Sequence, residues 1–199
     1  QKFENYFPKL EKFATKIYEK VKMNNRTRYL SLCSYLMEKH KIVVKDILPQ
    51  ENKPFSKIFF PEKKEFHLSD LLNIETKKLF TAALVAQLEA DEIIEEYLDE
   101  FSFPSKASRK VTKVALLNYA GAAIIMPYEI FFYECVKKHR YDLELLQSTF
   151  AVSFEQVCHR VTCLNSPDPK LRGIPLHMIR VDRSGNVSKR FSLSGIELP

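Results

Sequence analysis

Glycine is scarce in this sequence, with 4 residues against 10 prolines in 199, and long stretches hold only good helix formers. That balance argues against an all-β domain and for a helix-rich one. No run of 18 apolar residues occurs, so no segment is expected to span a membrane. The cysteines, at 33, 135, 158 and 163, form no C-x-x-C pair and sit inside apolar helical patterns. Buried free thiols are expected there, not a disulfide framework. The first residue is Gln1 and no signal-peptide pattern follows it. The expectation is a cytoplasmic piece of a longer protein.

What is present bounds the chain further. With 45% apolar and 28% charged residues, the length suits one globular domain with at most a small annex. The net charge of +6 permits an anionic partner, nucleic acid or a phosphate-bearing ligand, without choosing between them. The chain is organised around residues 106 to 160. From Ser108 the residues Val111, Val114, Ala115, Leu117, Ala122 and Ile125 recur at helical spacing, and the small residues Ala120 to Ala123 let another backbone approach. This predicts a buried helix capped by Ser105 or Ser108. Pro127 ends or kinks it, and a second helix, Tyr128 to Lys138, leaves at a new angle.

Before this centre, Tyr6 to Met23 reads as an amphipathic surface helix through Leu10, Phe13, Ile17 and Val21. A helix over Arg26 to Lys39 and a short strand at Ile42 to Val44 follow. Residues Lys57 to Phe60 and Glu65 to Leu68 predict a hairpin. Ile74 to Phe101 reads as one long helix, with Leu79, Ala82, Ala83, Ala86, Ala90, Ile93, Ile94 and Tyr97 inward and an acidic, solvated face. After the centre, a helix from Asp142, a turn at Phe150 to Val152 and a helix capped by Ser153 reproduce helix-turn-helix spacing. The second helix offers Glu155, Gln156, His159 and Arg160, poor material for a phosphate backbone. Gly185 and Asn186 predict a β-hairpin between Ile174 and Leu193. The fold class is therefore α+β: mostly helical, with a small antiparallel sheet and a C-terminal β-hairpin.

Asn118 to Pro127, NYAGAAIIMP, resembles the A-N-x-F-A-A-x-L-L-M-P segment of ImmA/IrrE-type domains, and Leu79 to Leu88 resembles their F-T-L-A-H-E-L-G-H helix. Tyr141 to Leu146, Val152 to Val161, Arg172 to Pro175 and Arg180 to Arg190 are similar to short-chain acyl-CoA-responsive, Xre-family transcriptional regulators of the propionate-regulator type. The resemblance divides the chain into a linker helix (1–25), a degenerate ImmA/IrrE-like ligand-binding domain (26–165) and the start of a C-terminal regulator region (166–199).

The zinc pattern of the family needs two histidines one turn apart and a glutamate between them. Here the aligned positions hold Leu84, Leu88 and Val85, with Leu116 at the third-ligand position, and no histidine lies between His67 and His139. No metal and no catalysis are expected. The resemblance implies instead a sensor of short-chain acyl-CoA that relays to a DNA-binding domain outside this chain, as a homodimer by analogy. An apolar slot and cations at a helix N-terminus suit such a ligand. Arg109, Lys110 and Lys113 are the candidate phosphate ligands, with Tyr119 and Tyr128 as stacking or hydrogen-bonding partners. The regulators' iron-sulfur cluster would need Cys33, Cys135 or further cysteines beside Cys158 and Cys163, so no cofactor is expected here. The alternative is an accessory DNA-binding or protein-docking module without a small-molecule ligand.

Overall fold

A computed structural model describes residues 5–21, 28–50 and 54–191. Helix α1 (Pro8–Val21) is followed by α2 (Arg28–Tyr35), which runs into a π-helical turn at Leu36–His40. Strands β1 (Val43–Ile47), β2 (Lys57–Phe60) and β3 (Glu65–Ser69) lead to α3 (Ile74–Glu89) and α4 (Asp91–Asp99). The central helix α5 (Lys106–Ile125) precedes α6 (Tyr128–Phe132), which continues as a π-helical turn to Lys138. Then come α7 (Leu143–Phe150), α8 (Phe154–Val161), a 3-10 turn at Pro169–Leu171, and strands β4 (Met178–Val181) and β5 (Val187–Phe191). The fold is α+β and mostly helical, as the pattern predicts.

The core is built where α1 and α3 pack on α5. The small residues of α5 do what their pattern predicts. A Cβ on Gly121 would lie 2.9 Å from the backbone nitrogen of Ala83, so glycine sets how closely α3 and α5 can cross. Ala82, Ala83 and Ala86 on one side and Ala120 and Ala123 on the other are all buried. Helix α1 buries Leu10, Ala14 and Ile17 completely, which makes it a layer of the same core.

Three expectations are corrected. The long helix over Ile74 to Phe101 is two helices, because Ala90 leaves helical geometry (φ −122°, ψ 13°) and Asp91 and Glu92 open α4, where acids suit the positive end of a helix. Helix α5 starts at Lys106 with Ser105 as its cap, one of the two expected, and Ser105 and Ser108 cap reciprocally (Ser108 N to Ser105 Oγ 3.1 Å, Ser105 N to Ser108 Oγ 3.2 Å). It is buried only from Leu116 onward: Val111 and Val114 are 70% and 51% exposed. The first sheet is mixed, in the order β1-β3-β2. Strands β2 and β3 form the predicted antiparallel hairpin, with Phe60 opposite Glu65, while β1 lies parallel to β3, with Val43 opposite Glu65. A four-residue turn forces the first geometry; the longer connection from β1 to β3 permits the second.

Pro127 bends the path from α5 to the helix after it by 69°. Among the described residues no single helix is long and apolar enough to cross a membrane. The α7–α8 pair forms with the predicted caps: Leu145 N donates to Asp142 Oδ1 (3.0 Å), and Ser153 and Gln156 cap α8 reciprocally. Helix α7 ends on Ala151 in the left-handed region (φ 49°), and its last carbonyls take buried cations. Arg28 Nη1 donates to Phe150 O at 3.1 Å and Lys78 donates to Ala151 O. Past α8, Tyr128 Oη donates to Leu171 O (3.0 Å) and accepts from Ser166 N (2.9 Å), tying residues 166–171 to α6. The β4–β5 hairpin turns through Asp182 to Asn186, with Gly185 at φ 86°.

Candidate ligand cavity

A cavity of about 740 Å³ opens between α3, α5 and α8, flanked by residues 5–7 and the end of α4. Its size falls within the range of small-molecule sites. Leu79 and Phe80 of α3, Ala115, Leu116 and Ala122 of α5, and Phe7 and Phe101 make it largely apolar. Polar groups stand at intervals: Thr76, Thr112, Asn118, and on α8 Gln156 and His159. Gln156 Nε2 donates to Glu75 O (3.2 Å), whereas Asn118 Oδ1 is buried with no hydrogen-bond partner. An unmet buried acceptor costs about 1–3 kcal/mol, and such groups concentrate where something else is bound.

The most heavily bonded part of the wall is Arg160. It is 1% exposed and forms a two-pronged ion pair with Glu11 of α1 (Nη1 to Oε1 2.6 Å, Nη2 to Oε2 2.8 Å). Its Nε donates to Met126 O (3.0 Å), at the bend before Pro127. Tyr119 Oη donates to the same Glu11 carboxylate and accepts from Phe7 N (3.3 Å). Burial opposes the Arg160 charge, yet the Glu11 carboxylate outweighs it and holds the guanidinium above its ordinary value. Burial, with Glu11 beside it, drives the Tyr119 hydroxyl well above its usual range. Cys163, also on the cavity wall, is pushed up to about 11 by burial and is a protonated, unreactive thiol.

Of the five residues that the sequence singles out for ligand binding, Tyr119 lines the cavity and the other four do not. Tyr128 is buried behind it, its ring 5.7 Å from the Arg160 guanidinium and its hydroxyl on residues 166 and 171. Arg109 pairs with Glu95 (2.5 Å) and Asp99 (2.9 Å), and Lys113 with Asp91 (2.7 Å) and Glu95 (2.6 Å). Lys110 is exposed on the outer side of α5. The acidic face of α4 is thus an ion-pair partner for the basic start of α5.

Glu11, Arg160 and Asn118 are not among the residues that the sequence singles out for ligand binding. A signal for the first two exists: Glu11 lies in the stripe Leu10, Ala14, Ile17, and Arg160 in the stripe Val157, Val161, Leu164. A charge inside an apolar stripe predicts a buried partner. Which partner follows only from the fold. The helix-turn-helix spacing of α7 and α8 is present, but Gln156, His159 and Arg160 of its second helix line the cavity.

The residues at the family's zinc positions do not fit a metal. Leu84, Val85 and Leu116 are buried and apolar, and among the described residues no three His, Cys, Asp or Glu side chains converge. Those positions therefore offer no donor set for zinc.

Comparisons with known proteins bear on the whole chain. Residues 37–162 match the model of the IrrE N-terminal-like domain, and residues 164–199 that of the short-chain fatty acyl coenzyme A regulator, C-terminal. The HTH-type transcriptional regulator RamB of Mycobacterium tuberculosis is 29% identical over 192 residues, covering 96% of this chain and 40% of its own length. The HTH-type transcriptional regulator PrpR of the same organism is 28% identical over 190 residues, covering 94% and 38%. A propionyl-CoA carboxylase regulator from Cereibacter sphaeroides is 37% identical over 108 residues, 54% of this chain and 23% of its own. A solved Mycobacterium tuberculosis transcriptional regulator superposes with a TM-score of 0.86 at 27% identity, covering 97% of this chain and 57% of that one. The chain spans about two fifths of the length of the first two regulators. The chain belongs to the IrrE N-terminal-like domain family, in the form that continues into a short-chain fatty acyl coenzyme A regulator segment and is met in transcriptional regulators.

Proposed function

We propose that this chain is the effector-sensing part of a transcriptional regulator, without enzymatic activity, and that its effector is a short-chain acyl-CoA. The observation that carries this reading is the 740 Å³ cavity, largely apolar and polar only at intervals, beside family zinc positions that hold leucine and valine. Such a space can bind and orient a molecule, and its leucines and valine supply none of the metal ligands that the family's hydrolysis uses. The match of residues 164–199 to the short-chain fatty acyl coenzyme A regulator family, and the likeness to a propionyl-CoA carboxylase regulator, support the ligand class.

In this reading the acyl group enters between Leu79, Phe80 and Leu116, and Asn118 offers an amide to the polar part of the ligand. The phosphates lie outside the cavity, at the start of α5. Arg109 precedes the wall residue Thr112 by one helical turn, so Arg109, Lys110 and Lys113 would exchange the carboxylates of α4 for phosphate oxygens. Tyr119 contacts the ligand from the wall; Tyr128 acts from behind, supporting Arg160. Occupancy then shifts the population of arrangements passed to a DNA-binding domain elsewhere in a cytoplasmic homodimer.

Thermal unfolding with acetyl-, propionyl-, butyryl- and free coenzyme A tests this. A ligand at 100 times its Kd stabilises by about 2.7 kcal/mol, a rise of several degrees in midpoint. No shift with any thioester, together with salt-sensitive binding of duplex DNA by the chain alone, would establish the DNA-binding alternative instead.

A further inference from the structure

Glu11 meets its partners across the core, and the residues before it do the same. Asn5 Nδ2 donates to Thr162 Oγ1 (2.8 Å) just past α8, and Phe7 N donates to Tyr119 Oη on α5. The Phe7 ring packs edge-on between Tyr97 (5.2 Å) and Tyr119 (4.9 Å), while Lys9 N donates to Tyr97 Oη (3.1 Å) on α4. Glu11 then takes Arg160 from α8 and Tyr119 from α5. Residues 5 to 11 are therefore sewn to three separate helices. Asn5 and Phe7 line the cavity, and so do Tyr119 and Arg160, to which this stretch is tied.

We propose that Asn5–Glu11 is a strap over the effector cavity, and that cavity occupancy and strap docking are thermodynamically linked through Tyr119 and Arg160. The inference rests on the effector-binding reading above and names how that site is regulated. Residues 5 to 7 are half-buried and lie ahead of the first helical turn, Asn5 held by Thr162 and Cys163, Tyr6 by the edge of the Tyr128 ring and Phe7 by Tyr97 and Tyr119, and such an end segment opens locally before the rest of the fold. From α1 onward the chain is anchored by Leu10, Ala14 and Ile17. A ligand touching Phe7 and Asn5 finds those contacts only with the strap down. It binds that state better, and by reciprocity the docked strap raises its affinity. Tyr119 and Arg160 make the link specific, since each faces the cavity while bonded to Glu11.

Hydrogen exchange and calorimetry on the whole chain with propionyl-CoA test the strap, using wild type, Phe7→Ala and Tyr119→Phe. In wild type, ligand should slow amide exchange over residues 5–11 as well as on α3, α5 and α8. In both variants affinity should fall about 5- to 150-fold, and protection over residues 5–11 should be lost while that on α3, α5 and α8 persists. Tyr119→Phe keeps the ring and removes only the hydroxyl, and working well below its unfolding midpoint separates a loss of affinity from a loss of folding. Wild-type binding with protection confined to α3, α5 and α8, or variants binding as tightly as wild type, overturns the strap alone. Absence of binding by wild type overturns the effector reading itself.

Discussion

The two walls of one cavity are built on opposite principles. Where α3 meets α5, alanines and Gly121 bring two backbones together, and the contact is held by burial of small apolar groups. Where α1 meets α8, one carboxylate, one guanidinium and one phenol hold each other in fixed geometry inside the core. The first contact is non-directional and sensitive mainly to volume. The second is directional and repays its own desolvation only while every partner is in place. The apolar wall therefore sets that the domain folds, and the polar wall sets which arrangement of α1 accompanies it.

The largest expected effect breaks the polar wall. Glu11→Ala leaves the Arg160 charge buried and unpaired, so urea unfolding should show a loss of about 3–5 kcal/mol. Replacing both residues together, Glu11→Met with Arg160→Met, should recover most of it, because removing a buried pair outright is often neutral. If the double variant is as unstable as the single one, the pair contributes stability of its own. The apolar wall should break more gently. Gly121→Ala gains about 1 kcal/mol of helix propensity but forces a Cβ to within 2.9 Å of the Ala83 backbone, at a cost of about 1–3 kcal/mol. A net loss in the same assay is expected, and a larger one for Gly121→Val.

A third prediction concerns the buried lysine at the end of α7. Burial, and next the charge of Arg28, lowers the Lys78 ammonium to about 8, Glu75 offsetting part of this. The unfolded chain keeps the ordinary value near 10.4, so between pH 8 and about 10.4 it binds more protons than the folded chain, and Lys78 makes stability rise with pH there. Raised thiols such as Cys163 act in the opposite sense, which makes the difference from a variant the informative quantity. Relative to Lys78→Met, wild type should gain stability across that window; parallel curves would refute the assignment.

These contrasts explain what could be read from the sequence. The apolar wall was legible, because the run Ala120 to Ala123 states its own purpose and the α3 alanines keep helical spacing. The caps at Asp142 and Ser153, and the bend at Pro127, were legible for the same local reason. The break at Ala90 was not, since alanine favours helix and no Gly or Pro marks the place. Nor was the exposure of Val111 and Val114, because periodicity shows which residues share a face and not whether anything covers it. The Glu11–Arg160 pair lies 149 residues apart in sequence, and only the fold brings it together. Arg109 and Lys113 show another long-range effect: their spacing and charge suggest an anion site, and only the fold reveals that the acids of α4 pair with them.

That last pair gives the smallest expected effect on stability and the sharpest test of function. Glu95 sits between Lys113 and Arg109, which in that order hold its carboxyl below the ordinary value. What that shift contributes is present above the usual carboxylate range and fades as pH falls through the lowered value. All three groups are about one third exposed, so each contact is worth little and weakens with salt. Arg109→Ala with Lys113→Ala should therefore barely move the unfolding midpoint at 150 mM salt. If phosphates of the effector displace the α4 carboxylates, the same variant should weaken propionyl-CoA binding by about tenfold or more, each charge-assisted contact being worth about 1.5–3 kcal/mol. Affinity unchanged beside a midpoint unchanged would make the start of α5 an ion-pair brace for α4 and nothing more, and the phosphates would have to be sought at another edge of the cavity.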